Sequence, residues 1–381
     1  MAFKHLYLPI FSLLICFASI AQTSTKSIPV LNKEKSYPEY SGNLNTEVTY
    51  IPLETSRDVL LGQDFRVYYV SVSLIMGVNW HLGDVVFFNM HGKVVSHFNQ
   101  KGAFGYNRIG YATYDNYAHE LYIMDKVLQK IFVFTQQGEL KRSFKMPNNL
   151  TFARIENFDN KLLLAWHEHA MGPLEPEQQQ PYVFLSKQDG SIVSKLNIHL
   201  KKANPRYLMS GNICYSLIYT EEGNCKFGSE FYLSNKSMDT IYHLTQSRVL
   251  TPAFSQKPSV FSDSHLISGI VTVTDKIIVF SVYPFDLEEV KKRNEAGISV
   301  NGKTITKFLL YEKSSGQIYR LKNWNYVSNH LDAPVNTSLQ VLQAYELVEK
   351  YKLGLLQGDL KEVASHLKID DNPVIKITRF K

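Results

Sequence analysis

Along this chain, apolar residues come in short runs, each followed by turn residues and then by a run in which apolar and polar positions alternate. Val85–Phe88 leads through Met90-His91-Gly92-Lys93 to Val94–Phe98. Leu121–Asp125 precedes Ile131–Phe134, Gln137-Gly138-Glu139 and Leu140–Phe144. Tyr182–Leu185 leads through Gln188-Asp189-Gly190 to Ile192-Val193, and Phe308–Tyr311 through Ser314-Ser315-Gly316-Gln317 to Ile318–Arg320. A buried strand, a glycine-bearing tight turn and a half-exposed strand make a β-hairpin. The first three turns lie about 46 and 52 residues apart, near the period of propeller blades. The strand pair Phe231–Leu233 and Asp239–Leu244 fills part of the wider interval before the fourth. A radial array of four-stranded antiparallel blades explains this regularity, because each sheet buries its faces only against its neighbours. A β-sandwich would place its turns closer together. The pattern therefore predicts an all-β fold, a β-propeller.

Three stretches interrupt it. Residues 284–304 read as an insertion with a helical turn around Leu287–Arg293, and Leu355–Leu367 as a short amphipathic helix. Pro173–Pro181, rich in Glu and Gln, reads as an exposed connection. The start of the chain differs in kind. Lys4 and His5 precede an apolar stretch from Leu6 to Ile20 that ends in Ser19-Ile20-Ala21. A basic start, about 15 apolar residues and small residues at the cleavage positions make a secretory signal peptide. The stretch is short for a membrane span. Lipidation at Cys16 is disfavoured because Ile15 is not small. The expected organisation is a signal peptide over 1–21, an N-terminal extension over 22–45 and one propeller over 46–381, exported to the periplasm or cell envelope with no membrane span after cleavage.

Composition adds little. The formal charge of +6 is spread thinly along 381 residues, and Lys201-Lys202 and Lys291-Lys292-Arg293 are too short for a nucleic-acid footprint. Past the signal, only Cys214 and Cys225 remain. They flank a turn at Glu221–Asn224 and could form a disulfide in an oxidising compartment if the strands face each other.

Ser27-Ile28-Pro29-Val30, Tyr50-Ile51-Pro52-Leu53-Glu54-Thr55, Asp239-Thr240-Ile241-Tyr242 and Asp371-Asn372-Pro373-Val374-Ile375 resemble, in this order, an exported bacterial family of six-bladed propellers similar to NHL-repeat proteins. The resemblance runs from about Ser27 to Phe380. It implies six blades, export, and a ring closed by pairing Val48–Leu53 with Val374–Phe380, which removes exposed edges. It implies no catalytic residues. The family's glycine-rich Lys-Gly loop here reads Lys101-Gly102-Ala103-Phe104-Gly105-Tyr106-Asn107-Arg108, with fewer glycines, and Trp80-His81-Leu82-Gly83-Asp84 replaces a plainer turn.

Two groups carry candidate chemistry. In the loop, Gly102 and Gly105 would let the backbone approach a ligand, while Lys101, Tyr106 and Arg108 could meet acidic or sugar groups; the same glycines could equally serve a tight inter-blade turn. In Trp166-His167-Glu168-His169, strand alternation puts His167 and His169 on one face, where they could share a metal with a third ligand from elsewhere. A solvated histidine pair is the plainer alternative. Tyr111, Tyr114 and Tyr117 could stack on sugar rings or pack between blades. No cofactor is evident, although a metal ion at the axial funnel is compatible with the fold. No nucleophile elbow, phosphate loop or dinucleotide fingerprint occurs. The expected role is a non-catalytic binding module for an envelope glycan or protein partner. The alternative is a lyase or hydrolase acting on a glycan or lactone at the funnel. Convergent His, Tyr, Arg or carboxylate side chains with a bound metal at the axis would favour the latter, and an apolar or aromatic rim without such convergence the former.

Overall fold

The computed structural model describes residues 28–103, 105–147, 151–167, 174–203, 207–210, 213–216, 223–286, 288–289, 292, 296, 307–325 and 331–381. Six antiparallel blades on a four-stranded plan form a ring. Near-continuous burial along the inner strands, as in β8 and β12, drives the arrangement, since both faces of these sheets carry apolar residues that only another sheet can cover.

The first blade comprises β3 (Phe65–Val70), β4 (Leu74–Asn79), β5 (Asp84–Asn89) and β6 (Val94–Asn99). The second comprises β7 (Tyr111–Asp115), β8 (Glu120–Asp125), β9 (Lys130–Thr135) and β10 (Leu140–Lys145). The third comprises β11 (Phe152–Asn157), β12 (Leu162–His167), β13 (Tyr182–Ser186) and β14 (Ile192–Lys195). A separate hairpin, β15 (Tyr207–Ser210) with β16 (Ile213–Ser216), precedes the fourth blade. That blade contains β17 (Cys225–Phe227), β18 (Glu230–Leu233), β19 (Thr240–Leu244) and β20 (Leu250–Lys257), with β1 (Val30–Asn32) added in parallel outside β20. The fifth contains β21 (Ser264–Val273), β22 (Ile277–Asp286), β23 (Lys307–Glu312) and β24 (Gln317–Leu321).

The sixth blade mixes the two ends of the chain. β25 (Thr337–Leu342) pairs with β26 (Val374–Phe380), and β26 pairs with β2 (Thr46–Pro52) from Thr46↔Phe380 to Pro52↔Val374. The expected closing pair is thus the observed one. Its place at the axis is taken by the short segment around Asp332, which bridges Tyr69 of β3 in parallel. Two helices, α1 (Ala344–Lys352) and α2 (Gly358–Ser365), are inserted between β25 and β26. The sequence pattern showed α2 within a longer span and missed α1. Pro176–Gln179 forms a 3₁₀ turn within the expected Pro173–Pro181 connection.

The core lies between blades. Phe87 of the first blade and Tyr114 of the second meet edge to face with ring centres 5.1 Å apart, and Tyr106, Leu121 and Phe134 complete this layer with almost no exposure. Each such side chain contributes about 1.5–3 kcal/mol by leaving water. Outer turns lock onto the preceding blade: a Cβ on Gly138 would lie 2.4 Å from the Phe98 ring, and one on Gly190 2.2 Å from Phe144.

The segment expected as an N-terminal extension is partly a strap on the ring. Leu31 is fully buried between the fourth and fifth blades. Further on, Pro38 accepts from the Arg320 amide at 2.8 Å, and the Tyr40 amide donates back to Arg320 at 3.0 Å along the edge of β24. The cysteine reading changes as well. β16 pairs with β15, placing Cys214 opposite Met209, whereas Cys225 lies in β17 opposite Tyr232. The two cysteine-bearing strands do not form one hairpin, because the chain between them separates two sheets. The side chain of Cys214 lies outside the described residues; Cys225 is buried.

Candidate functional site

The first strand of each blade lines the axis, and the charged residues embedded in those strands meet there. Arg66 and Tyr68 come from β3, Tyr111 from β7, Arg154 and Glu156 from β11, Lys226 from β17 and Asp332 from the closing blade. Tyr68 and Tyr111 stand edge to face at 5.1 Å, and the Arg154 guanidinium lies over the Tyr111 ring at 5.3 Å, a favourable cation–π placement. The Tyr111 hydroxyl donates to Glu156 Oε1 at 2.6 Å. Lys226 Nζ donates to the Asn157 carbonyl at 3.0 Å and to Asp332 Oδ2 at 2.5 Å.

This environment is dry. Burial raises the Glu156 carboxyl to about 7 against the pull of Lys226, the Tyr111 hydroxyl and Arg154, while Asp332 adds to the rise. Burial likewise drives Tyr111 well above the usual phenol range, and the Glu156 carboxylate reinforces it. Desolvation outweighs neighbouring cations here because a charge in an apolar wall loses most of its hydration. On the side of the β7–β8 turn, Lys187 Nζ bonds Asp115 and, at 2.6 Å, Asn157 Oδ1. Asp115 ends β7, Asn157 ends β11, and Lys187 opens the turn after β13, so the contact ties the second blade to the third.

At the end of the axis where β3 begins, Trp80 gathers three side chains. Arg66 lies over its indole at 5.8 Å and Arg108 at 5.6 Å. His81 stacks on it at 4.7 Å and bonds Asp64 at 2.8 Å. Lys101 Nζ donates to the His81 carbonyl at 3.0 Å. The loop and the unusual turn of the first blade, distinct in sequence, form one cationic and aromatic patch. Among the described residues, no carboxylate lies within ion-pair reach of Arg66 or Arg108.

The loop residues divide by role. Lys101, Gly102 and Arg108 are exposed. Tyr106 is fully buried, accepts from the Gln100 amide at 3.1 Å and donates to the Gly83 carbonyl at 2.5 Å, so its hydroxyl is occupied within the fold. Gly105 permits close backbone contact with the protein itself: a Cβ there would sit 1.8 Å from the Gln100 carbonyl oxygen. The buried Asp125 carboxylate fixes the loop's end by accepting from the Asn107 and Arg108 amides at 2.6 and 3.0 Å.

His167 sits in the interior with 4% exposure, its ring 5.0 Å from Phe152 and hydrogen-bonded to the Thr151 backbone. Burial lowers it to about 4. His169 lies outside the described residues. Among the described residues, no group of three or more His, Cys, Asp or Glu side chains comes together to hold a metal ion. Tyr111 and Tyr114 pack between blades, whereas Tyr117 is exposed. Sequence reasoning passed over Arg66, Arg154, Glu156, Lys226 and Asp332. The available signal was a charge inside a strand-forming run, as in Phe152-Ala153-Arg154-Ile155-Glu156-Asn157.

A family model described as "Domain of unknown function (DUF4934)" matches residues 26–379. No curated protein matches the chain in sequence. Among solved structures, a Bacteroides fragilis protein provisionally described as exported aligns over 92% of this chain and 99% of its own, at 14% identity and a TM-score of 0.65. A DUF4221-family member from Bacteroides vulgatus aligns over 89% and 98%, at 9% identity and a TM-score of 0.51. At these identities the likeness is one of fold. No described helix is long and apolar enough to cross a membrane.

Proposed function

The chain belongs to the DUF4934 family, whose function is unknown, and from that premise we propose that it is an exported envelope propeller that binds a carboxylate-bearing glycan at the axial mouth. The observation that carries this reading is the convergence of Arg66 and Arg108 on one indole without a carboxylate partner among the described residues. A guanidinium presents a planar fork that matches a carboxylate, and a cation held against an aromatic ring is already partly desolvated. Arg154 and Lys226 extend the positive field into the ring. Lys101 lies beside the same patch.

Isothermal titration with trigalacturonate and the neutral maltotriose tests it. Binding of the acidic sugar alone, weakened about tenfold or more by Arg66→Ala combined with Arg108→Ala and by added salt, is expected. Equal binding of both sugars, or an unaffected double variant, overturns the reading.

One observation favours catalysis instead. The 2.6 Å bond between Tyr111 and a carboxyl raised to about 7 is a proton-holding pair within a cluster of arginine and lysine. Such a pair suits general acid–base chemistry near neutrality, as in a glycan or lactone lyase or hydrolase. Product formation that Tyr111→Phe and Glu156→Gln abolish without weakening binding would establish it.

A further inference from the structure

The helical hairpin inserted in the closing blade carries apolar side chains that its own packing does not use. Its inner side is accounted for: Leu347 of α1 and Ala364 of α2 are buried with Val374 of β26, and Leu360 and Val363 pack against them. In the connection between the helices, residues 353–357, Leu356 joins that cluster. Leu353 and Leu355 do not; they are 71% and 67% exposed, and Tyr351 on the last turn of α1 is 37% exposed. A Cβ on Gly354 or on Gly358 would meet no atom within 4 Å, so the backbone at both ends of this tip borders open space. One exposed leucine on a surface is ordinary, but three apolar side chains between 351 and 355 on a projecting tip form a patch.

Charge is layered behind it. From Lys350 to Gly358 the only charged residues are Lys350 and Lys352, both exposed on the last turn of α1. Lys350 lies 3.7 Å from Glu346, one turn further back, and among the described residues no carboxylate lies within ion-pair reach of Lys352. Glu349 and Asp359 bracket the segment, and Lys361 of α2 adds another exposed cation. Leucines foremost, with a tyrosine and two lysines behind them, match the layers of a bilayer surface, where acyl chains lie beneath anionic headgroups. The tip is convex, so a protein partner would need a groove shaped to it, whereas a lipid interface yields to it.

We propose that the tip formed by Tyr351, Leu353 and Leu355 inserts into the interface of an anionic membrane, with Lys350 and Lys352 meeting lipid phosphates. The propeller is then held on a membrane surface without a span. So few apolar groups give reversible attachment, weaker than a covalent lipid anchor. None of these residues belongs to the arginine patch around Trp80, so the proposal stands or falls apart from the glycan reading.

The test floats the full mature chain with vesicles of phosphatidylethanolamine and phosphatidylglycerol, and with vesicles of phosphatidylcholine alone. Binding about tenfold tighter to the anionic vesicles is expected. Leu353→Ser combined with Leu355→Ser should weaken it about tenfold or more, and Lys350→Gln combined with Lys352→Gln should remove the preference for anionic lipid. All four side chains are exposed, so thermal midpoints should not move. Brominated lipid should quench the tryptophan emission of Leu353→Trp beyond that of the wild type, which reads insertion directly. Binding that survives the leucine double variant, equal binding to both kinds of vesicle, an unquenched Leu353→Trp, or no binding to either overturns the proposal. Self-association without vesicles that the leucine double variant abolishes overturns it in favour of a second copy of the chain.

Discussion

Tyr111 and Glu156 join the second and third blades at the axis through a single hydroxyl–carboxyl bond of 2.6 Å. Both residues are buried, so this bond is made where no water competes, and the pull of Lys226 and Arg154 does not make up for the hydration that the carboxyl loses. The ring keeps an acid there at a cost that depends on pH.

The sign of that cost is fixed. The folded Glu156 carboxyl titrates near 7, above its ordinary 4.5, so its contribution to stability is fully present below the ordinary value and is lost as pH rises through 7. The loss is on the order of 3 kcal/mol. Urea midpoints measured from pH 4.5 to 8.5 should fall for the wild type relative to Glu156→Gln; parallel curves would remove the buried charge from the account.

His167 acts at the opposite end of the scale. Its folded value near 4 lies below the ordinary 6.5, so the stability it contributes is present above 6.5 and is lost as pH falls through 4. Replacement by Phe should flatten the acid limb of a thermal-unfolding series between those values. An unchanged acid limb would mean that other groups set acid sensitivity.

Lys187 and Asp115 are both nearly sealed from solvent, with 5% and 2% exposure. Lys187→Met should cost about 3–5 kcal/mol because it strands a buried carboxylate. Adding Asp115→Asn should restore much of that loss. A double variant no more stable than the single one would show that the cation matters for packing, through its place over the Tyr122 ring, rather than for charge.

Gly105→Ala should destabilise the loop that presents Arg108, since the added carbon meets the Gln100 carbonyl. Gly102→Ala meets no atom within 4 Å but must hold φ near 135°, a backbone strain worth about 1–3 kcal/mol. Circular dichroism melts and trigalacturonate titration should show Gly105→Ala weakening both stability and binding. Normal affinity in that variant would separate the loop's geometry from the site.

The blade pattern was legible because it is local. A strand, a turn and a strand lie within about twenty residues, and Gly138 and Gly190 mark turns that pack on the preceding blade. The fourth blade was harder to read: β17 and β18 are only 3 and 4 residues long and offer little periodicity. The placement of the cysteines was hidden for a related reason, since sequence proximity of Cys214 and Cys225 does not reveal that their strands enter different sheets. The loop from Lys101 to Arg108 was recognisable as a unit, but which side chains faced outward was not; Tyr106 looks as polar as Arg108 until the fold buries it. The axial cluster was hidden more deeply. Arg66, Glu156, Lys226 and Asp332 are single charges far apart in the chain, and only ring closure gives them a common centre.

The pairing of β2 with β26 also governs time. The Asn372 side chain accepts from the Leu61 amide at 2.9 Å across a separation of 311 residues, and β2 itself finds its partner only in the last strand. The ribosome therefore releases the opening strand long before anything exists for it to pair with. Until the final residues arrive, β2 is an unpaired edge, open to mispairing with other chains. The closed ring thus places its greatest folding hazard at its first-made segment and makes closure, a contact of very high sequence separation, a slow late event.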